Sequence, residues 1–297
     1  MKKYLRFVIM PIFPVLLMLT FLFTACKSKP TPTVSDSVSN VIPANPSASL
    51  VFIGIEADDP DYLRLFFELN VIDPLPAVGH MVVESWKVEM EGQDASSAFT
   101  FDCPTEYQGS SSFTIPIRLG MDIAALGAMG LAPRDDYSVT LVTALAFASN
   151  DTLKLEVSCT TGFPGVRSPQ FSISSIAILK AELINTRFRV RLKIENPNPF
   201  PIELGELNYR LYGEGRFWTD GNERNRIRVE RKSILEGDVF LVMNFIDMDR
   251  RLLDQIINLV DVNYRFTGEA QVYTGIEYLP RFGTSFSISG YSEVLEK

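Results

Sequence analysis

A strand that ends abruptly at prolines is the feature that most constrains the fold of this chain. Between Arg187 and Asn196, charged residues alternate with an apolar set, Phe188, Val190, Leu192 and Ile194. This period of two is typical of a half-buried β-strand. The chain then continues as Asn196, Pro197, Asn198, Pro199 and Phe200. Proline lacks the N–H that sheet pairing needs and biases the preceding residue away from the helical region, so the pairing must stop here.

The same arrangement occurs a second time, nearer the N-terminus. Apolar residues alternate with other residues at Leu65, Phe67, Leu69 and Val71, and the sequence Asp73, Pro74, Leu75 and Pro76 follows. When Pro74 and Pro76 are aligned with the later prolines, Trp86 falls opposite Tyr209 without a gap. The repeat is far longer than the roughly 20–50 residues of a solenoid unit, so it predicts tandem domains.

The motif of the second copy resembles that of a known family. An alternating strand, the segment Asn196–Phe200 and then Gly205–Gly213 are together similar to the late embryogenesis abundant type 2 family, whose module is also called the water-stress and hypersensitive-response domain. The resemblance covers about Ser172–Ser292. The first copy, about Ala48–Gly165, has aspartate and leucine in place of the two asparagines and is identified as a degenerate member. The resemblance implies an Ig-like or fibronectin-like sandwich and a role in stress or desiccation protection.

The predicted fold is mainly β, with two tandem antiparallel β-sandwiches and one short helix in each. Residues 1–25 are predicted to be a signal, 26–47 a tether, 48–168 the first sandwich and 169–297 the second. A hydrophobic fraction of 46% is enough to fill two cores. The helices are predicted at Met121–Leu131 and Asp249–Val260. The strands of the second copy are predicted at Ile173–Ile184, Phe188–Glu195, Glu206–Tyr212, Arg224–Arg231, Gly237–Phe245, Val262–Tyr273 and Ser285–Ser289.

The N-terminus has the pattern of a targeting signal. Basic residues precede an apolar run from Phe7 to Phe23, and Thr24, Ala25 and Cys26 follow. The pattern resembles a bacterial lipoprotein signal, in which the cysteine is acylated and becomes the mature N-terminus. An uncleaved membrane helix is the alternative, although two prolines and a short run disfavour it. The Ser-, Thr- and Pro-rich residues 26–47 would then tether the domains to a membrane of the cell envelope, on the periplasmic face or in the outer membrane.

The charge of the chain disfavours nucleic acid as a partner. The net charge is −8, and removal of the three basic residues of the signal makes it −11, which repels both phosphate backbones and anionic lipid. One basic cluster surrounds a predicted turn at Asp220 and Gly221 and includes the predicted strand Arg224–Arg231. It is interpreted as a charged strand edge that discourages aggregation, and a site for an acidic partner is the alternative.

Residue patterns that carry catalysis or bind metals are sparse in this sequence. The one histidine, His80, is predicted to lie in a turn without a serine or metal partner, and no cofactor is predicted. Three aspartates, Asp58, Asp59 and Asp61, are interpreted as a polar turn because their spacing does not match an EF-hand. Cys103 and Cys159 both belong to the first copy, where a disulfide and two separately buried thiols are both possible.

Three functions remain compatible with these patterns. We favour a lipid-anchored, non-catalytic envelope lipoprotein that acts as a binding or stress-protective module. A carrier or docking protein for an apolar ligand or an envelope partner is the alternative. A carboxylate-based hydrolase ranks last, because the separation of two carboxylates is a property of the folded structure.

Overall fold

The structure is a computed structural model that describes residues 46–72, 80–104, 106–108, 112–147, 154–181, 185–244 and 262–292. The predicted signal, residues 26–45 of the predicted tether, the first proline segment at residues 73–76 and the predicted helix Asp249–Val260 therefore lie outside the described residues. Ser47, the last residue assigned to the tether, already begins the first strand. Within the described ranges the chain is mainly β, and every strand pairing is antiparallel, as predicted.

Two sheets are formed by the first half of the chain. Its strands are β1 (Ser47–Asp59), β2 (Tyr62–Ile72), β3 (His80–Met90), β4 (Gln93–Asp94), β5 (Phe99–Asp102), β6 (Glu106–Gln108), β7 (Ser112–Asp122), β8 (Asp136–Phe147) and β9 (Lys154–Pro164). One sheet has the order β1-β2-β7-β5 and the other β4-β3-β8-β9, with β6 also paired to β3. A short 3-10 helix, Ser96–Ala98, precedes β5.

The second half also forms two sheets. Its strands are β10 (Gln170–Ala181), β11 (Asn185–Asn196), β12 (Ile202–Gly213), β13 (Arg216–Glu223), β14 (Ile227–Val229), β15 (Ser233–Asn244), β16 (Val262–Ile276) and β17 (Leu279–Ser292). The orders are β10-β11-β15 and β13-β12-β16-β17, with β14 also paired to β12. In chain order, the neighbours β1-β2-β7 and β3-β8-β9 of the first half correspond to β10-β11-β15 and β12-β16-β17 of the second.

Each half has its own hydrophobic core, which takes buried side chains from both of its sheets. The alternation that predicted β11 is confirmed, because Phe188, Val190, Leu192 and Ile194 are all at most 2% exposed. The corresponding residues of β2, Leu65, Phe67, Leu69 and Val71, are at most 1% exposed. Each such side chain contributes about 1.5–3 kcal/mol on burial, so these alternating sets hold the strands in register.

The predicted helix of the first half is present but shorter than the sequence suggested. The α-helix α1 covers Ile123–Ala128, because Met121 and Asp122 still pair with β2. The side chain of Asp122 accepts a hydrogen bond from the backbone of Ala125 at 3.0 Å and caps the helix. Beyond its end, Gly130 has a φ of 74°, which favours glycine and stops the helical path.

The predicted turn at Asp220-Gly221 is wrong, and the predicted strand Arg224–Arg231 is confirmed only over Ile227–Val229. The hairpin turns instead at Glu214 and Gly215, with φ values of 49° and 74°, so Asp220 and Gly221 lie within β13. Gly221 pairs with Tyr209, and a Cβ at this glycine would lie 2.6 Å from the tyrosine ring. The ring of Tyr209 therefore crosses β13 at a position where no side chain obstructs it. Of the predicted strand Arg224–Arg231, only β14 remains.

Candidate functional site

The family-motif residues Asn196–Phe200, called the asparagine junction below, connect β11 to β12. Asn196 and Asn198 are both 0% exposed, although asparagine is mostly found at protein surfaces. A buried side-chain amide costs free energy unless its donors and acceptors find hydrogen-bond partners. The fold must therefore supply partners for both amides.

Asn196 forms hydrogen bonds within the junction and to one distant part of the second half. Its Nδ2 donates to the carbonyl of Phe200 at 2.8 Å and to the carbonyls of Val229 and Glu230 at 3.3 and 3.1 Å. Its Oδ1 accepts from the backbone nitrogen and the Nδ2 of Asn198, both at 3.0 Å. The side chain thus ties the end of β11 to the end of β14.

Asn198 holds the segment that links the two halves of the chain. Its Oδ1 accepts from the backbone nitrogen of Arg167 at 2.7 Å, and its Nδ2 donates to the carbonyl of Arg167 at 2.8 Å. Its own carbonyl accepts from the backbone nitrogen of Lys232 at 3.0 Å. The amide side chain pairs with Arg167 as a neighbouring strand would, and it fixes the linker between β9 and β10.

The two prolines of the asparagine junction reduce the number of donors that need a partner. Pro197 and Pro199 have no backbone N–H, and their φ angles are restricted to about −65°. Between them, the N–H of Asn198 donates to Asn196. The alternation of asparagine with proline therefore lets a buried turn satisfy its polar groups with few residues.

An ion-pair cluster joins the two halves beside this junction. The carboxylate of Asp135 contacts the guanidinium of Arg167 and accepts from Nζ of Lys232 at 2.6 Å. The carbonyl of Asp135 also accepts from the backbone nitrogen of Gly165 at 2.7 Å. Burial lowers the pKa of Arg167. Partial desolvation lowers the pKa of Lys232, and the nearby positive charge of Arg167 lowers it further. We call Asp135, Arg167 and Lys232 the Asp135 bridge.

Tyr278 joins the halves at a second place. It lies in the turn between β16 and β17, and its hydroxyl donates to the carbonyl of Pro164. Its carbonyl accepts from the backbone nitrogen of Ala57 at 3.3 Å, and its ring meets that of Phe163 edge-on with centroids 6.1 Å apart. Burial, and secondarily the nearby Tyr137, raises the pKa of Tyr278. Tyr278 and Ala57 pack against both hydrophobic cores.

The basic cluster is largely balanced by neighbouring acidic and aromatic groups. Arg226 Nη1 lies 3.0 Å from Glu203 Oε2, and its guanidinium carbon lies 4.2 Å above the ring of Tyr273. Arg228 Nε lies 2.8 Å from Glu230 Oε1. These contacts agree with the interpretation of a charged strand edge.

The two cysteines of the first half are not joined by a disulfide in the structure. Both are partly buried against the first core, which is the alternative of two separate thiols. Cys103 Sγ donates to the carbonyl of Pro104 at 3.4 Å. Burial, and secondarily the neighbouring Asp102, raises the pKa of the Cys103 thiol to about 11. This thiol therefore stays protonated, and a poor nucleophile, at neutral pH.

The other predicted site residues are placed as follows. The lipid-attachment residue Cys26 lies outside the described residues. His80 begins β3, with its backbone opposite Gln108, so it is not in the predicted turn. Asp59 Oδ1 accepts from the backbone nitrogens of Asp61 and Tyr62 at 2.8 and 3.1 Å, which is the polar turn that the sequence indicated.

Metal-binding clusters and membrane-spanning helices were sought only in the described part of the chain. In these residues, no three His, Cys, Asp or Glu side chains come together as metal ligands would. None of the helices described there has the length and apolarity to cross a membrane.

An open groove of about 540 Å³ lies on the sheet formed by β12, β13, β16 and β17. Much of its lining is polar and includes Asn208, Arg210, Asp220, Asn222 and Glu269. A carrier of an apolar ligand would need mainly apolar walls. This groove therefore does not favour the carrier hypothesis.

Sequence reasoning identified the asparagine junction but missed the contacts that join the two halves. Asp135 and Lys232 are 97 positions apart, and Tyr278 and Pro164 are 114 apart. No local pattern links such residues. The repeated Asn-Pro pair was a usable signal, because asparagines between prolines in a buried turn need specific partners.

Comparison with protein families matches residues 191–280 to the family described as late embryogenesis abundant protein. The matched range begins within β11 and includes the whole asparagine junction. Comparison with curated proteins gave no match.

Several solved structures match parts of this chain. A protein from Archaeoglobus fulgidus is 17% identical, with 42% of this chain and 97% of that protein covered and a TM-score of 0.26. A protein from Arabidopsis thaliana is 14% identical, with 45% and 87% covered and a TM-score of 0.35. A calcium-binding mutant of β-glucuronidase 2 from Bacteroides uniformis is 9% identical, with 76% and 26% covered and a TM-score of 0.23. At these TM-scores, the similarities carry no functional argument.

Proposed function

Residues 191–280 carry the late embryogenesis abundant type 2 module, and from this premise we propose that the chain is a lipid-anchored, non-catalytic protein of a bacterial cell envelope. In this proposal it acts as a binding or protective module under water stress. The N-terminal acyl group on Cys26 holds it to a membrane, and the predicted tether, residues 26–47, spans about 25–30 Å as a flexible coil.

The two halves are, in the same proposal, tandem copies of one β-sandwich, with boundaries near residues 48–168 and 169–297. The support is the shared order of strands, in which β1-β2-β7 and β3-β8-β9 correspond to β10-β11-β15 and β12-β16-β17. A separate hydrophobic core in each half is the second support.

The observation that carries the non-catalytic part of the proposal is the environment of Asn196 and Asn198. Both side chains are wholly buried, and their amides bond to backbone groups and to each other. They therefore present no group to a ligand or substrate. The motif by which the family is recognised serves to build the fold and to fix the linker, so function is left to the outer surfaces.

The anchor and the protective role are tested in cells that produce the native chain or a variant. We expect native protein to incorporate labelled palmitate and to fractionate with membranes. Cys26→Ser should abolish the label, and a further variant with residues 1–25 replaced by a cleavable secretory signal should be released in soluble form. Survival after drying or osmotic shock should fall in cells that lack the protein and in cells with the released form.

A catalytic role is tested in the same cells with His80→Ala. Since the sequence contains no serine motif or metal cluster that a histidine could serve, this variant should restore survival fully. A folded His80→Ala protein that restores nothing would overturn the non-catalytic proposal. Equal survival with and without the protein would contradict the protective role but leave the anchor intact.

A further inference from the structure

One end of the β10-β11-β15 sheet exposes apolar and basic side chains together. The residues are Leu179 on β10, Arg187 and Arg189 on β11, and Phe240 and Val242 on β15, and we call this set the arginine-phenylalanine patch. In the strand register Arg187 lies opposite Val242, and Arg189 lies opposite Phe240. The residues that alternate with these on β11 and β15 face the core, so the arginines, Phe240 and Val242 occupy the opposite face of the sheet. Leu179 lies at a β-bulge of β10, next to the residue that pairs with Arg187.

The apolar members of the patch are unusually exposed for strand residues. Phe240 is 60% exposed, Val242 57% and Leu179 48%. Their neighbours Val239, Leu241 and Met243 are at most 8% exposed. Single exposed apolar residues are common, but several on one sheet face around arginines mark a surface that contacts a partner.

The arginines of the patch are less well compensated than the basic residues farther along β11. Among the described residues, Arg189 Nε is buried without a hydrogen-bond partner, and it lies 4.0 Å from Asp238 Oδ2, too far for a hydrogen bond. By contrast, Arg191 lies 3.0 Å from Asp238 and Lys193 lies 3.1 Å from Glu236. The strand thus has one end with carboxylate partners and another end whose positive charge adjoins exposed apolar groups.

The chemistry of the patch selects the kind of partner. A second copy of the chain would bring the same arginines together, which like-charge repulsion disfavours. An anionic surface with an apolar interior matches both features, because guanidinium groups bind phosphate well and Phe, Leu and Val side chains enter the boundary of a bilayer. The acylated chain without its signal has a net charge of −11 and as a whole is repelled by an anionic surface, so this positive area is the local exception that orients the molecule.

We propose that the arginine-phenylalanine patch docks the second half of the chain on an anionic phospholipid bilayer. The inference rests on the proposed lipid anchor, which keeps a bilayer within reach of the tether. Acylation supplies the attachment, and the patch determines which face of the β10-β11-β15 sheet lies against the headgroups. The native chain would then lie on the membrane instead of standing free at the end of its tether.

The test uses the purified, acylated full chain in vesicles whose acyl chains are brominated and therefore quench tryptophan. Phe240→Trp reports on the patch. Ile234→Trp is the matched control, since Ile234 is 59% exposed on the same strand at its other end. The fluorescence of the unsubstituted chain, which contains Trp86 and Trp218, is subtracted. In vesicles of phosphatidylcholine with phosphatidylglycerol, quenching at position 240 should exceed that at position 234 by at least about twofold, because bromolipid quenching requires close contact.

A second pair of variants tests the charge. In the Phe240→Trp background, Arg187→Gln with Arg189→Gln should reduce quenching at least about twofold, and raised salt should act in the same direction. Lys193→Gln, at the end of β11 where the basic residues have carboxylate partners, should leave the quenching at position 240 unchanged. Equal quenching at positions 234 and 240 in chains that float with the vesicles would overturn the patch proposal alone. Failure of the native chain to float would refute both the anchor and the docking.

Discussion

Two groups of polar residues in the second half differ sharply in what surrounds them. The amides of Asn196 and Asn198 are 0% exposed, whereas the side chains of Arg226 and Arg228 are 59% and 58% exposed. In the sequence the arginines are as prominent as the asparagines, and they carry full charges. In the structure the neutral amides hold the fold together, and the arginines lie at the edge of a sheet.

The difference shows that burial, not charge, sets the energetic weight of a polar group in this chain. A buried amide that loses its partner leaves other buried groups unsatisfied, at about 1–3 kcal/mol each. An exposed ion pair exchanges its partner for water and contributes about 0–1 kcal/mol. The substitutions below test this ranking, beginning with the largest expected effect.

Truncation of Asn196 should cost the most stability. Asn196→Ala removes the partner of three carbonyls and of the amide of Asn198, all in or beside the asparagine junction. We expect the free energy of unfolding to fall by about 3–5 kcal/mol, measured by urea denaturation. The matched control is Asn208→Ala, because Asn208 is exposed and donates one bond, to the Glu206 carbonyl at 3.1 Å. A loss as small as that of the control would contradict the ranking.

Replacement of both prolines of the junction should have the next largest effect. Pro197→Ala with Pro199→Ala frees the unfolded chain by about 0.4–1 kcal/mol for each residue and adds two N–H groups that lack designated partners. We therefore expect a total loss of about 1–3 kcal/mol, with the midpoint of urea unfolding as the measure. Pro280→Ala, at an exposed position of β17, is the control for a general effect of proline. A double variant as stable as the native chain would show that the asparagines alone define the turn.

The fold was readable from the sequence where its cause was local. Alternation over Arg187–Asn196 predicted β11, because burial of every second side chain requires no knowledge of the partner strand. The hairpin at Glu214-Gly215 was not predicted, since Asp220-Gly221 offers an equally good local turn. The observed register places the ring of Tyr209 across Gly221, a contact between strands that the sequence of the turn does not contain.

The asparagine junction was readable only as a motif, not as a network. Proline spacing indicated that a strand ends there, but the hydrogen-bond partners of Asn196 at Val229 and Glu230 lie 33 and 34 positions away. The contact of Asp135 with Arg167 and Lys232 likewise joins residues of different halves. Such pairings depend on how the strands and halves pack, which no single segment of the sequence encodes.

The Asp135 bridge lies between the two extremes of burial and should give an intermediate effect. Asp135→Asn keeps the size of the side chain but removes the negative charge shared by Arg167 and Lys232, whose side chains are 22% and 46% exposed. Because Asp135 itself is 44% exposed, solvent screening limits the expected loss to about 1 kcal/mol. The dependence of stability on salt should also weaken, since salt screens this pair in the native chain. Glu156→Gln, an exposed substitution with the same change in charge, is the control. An equal loss of stability in both variants would show that the Asp135 bridge does not stabilise the fold.

Removal of charge from the basic cluster should have the smallest effect. Arg226→Gln deletes the contact with Glu203 and weakens the packing on Tyr273, but both acidic and basic groups regain water. We expect a change within about 0.5 kcal/mol, because exposed ion pairs contribute little and surface substitutions rarely exceed this amount. Arg228→Gln should behave alike, since its partner Glu230 is 64% exposed.

Aggregation on storage is the more sensitive measure: if the arginines keep this sheet edge from pairing with other chains, the double variant should aggregate faster at unchanged unfolding free energy. A loss above about 2 kcal/mol from either single variant would instead place these arginines with the asparagines, and burial would no longer explain which polar residues hold this fold together.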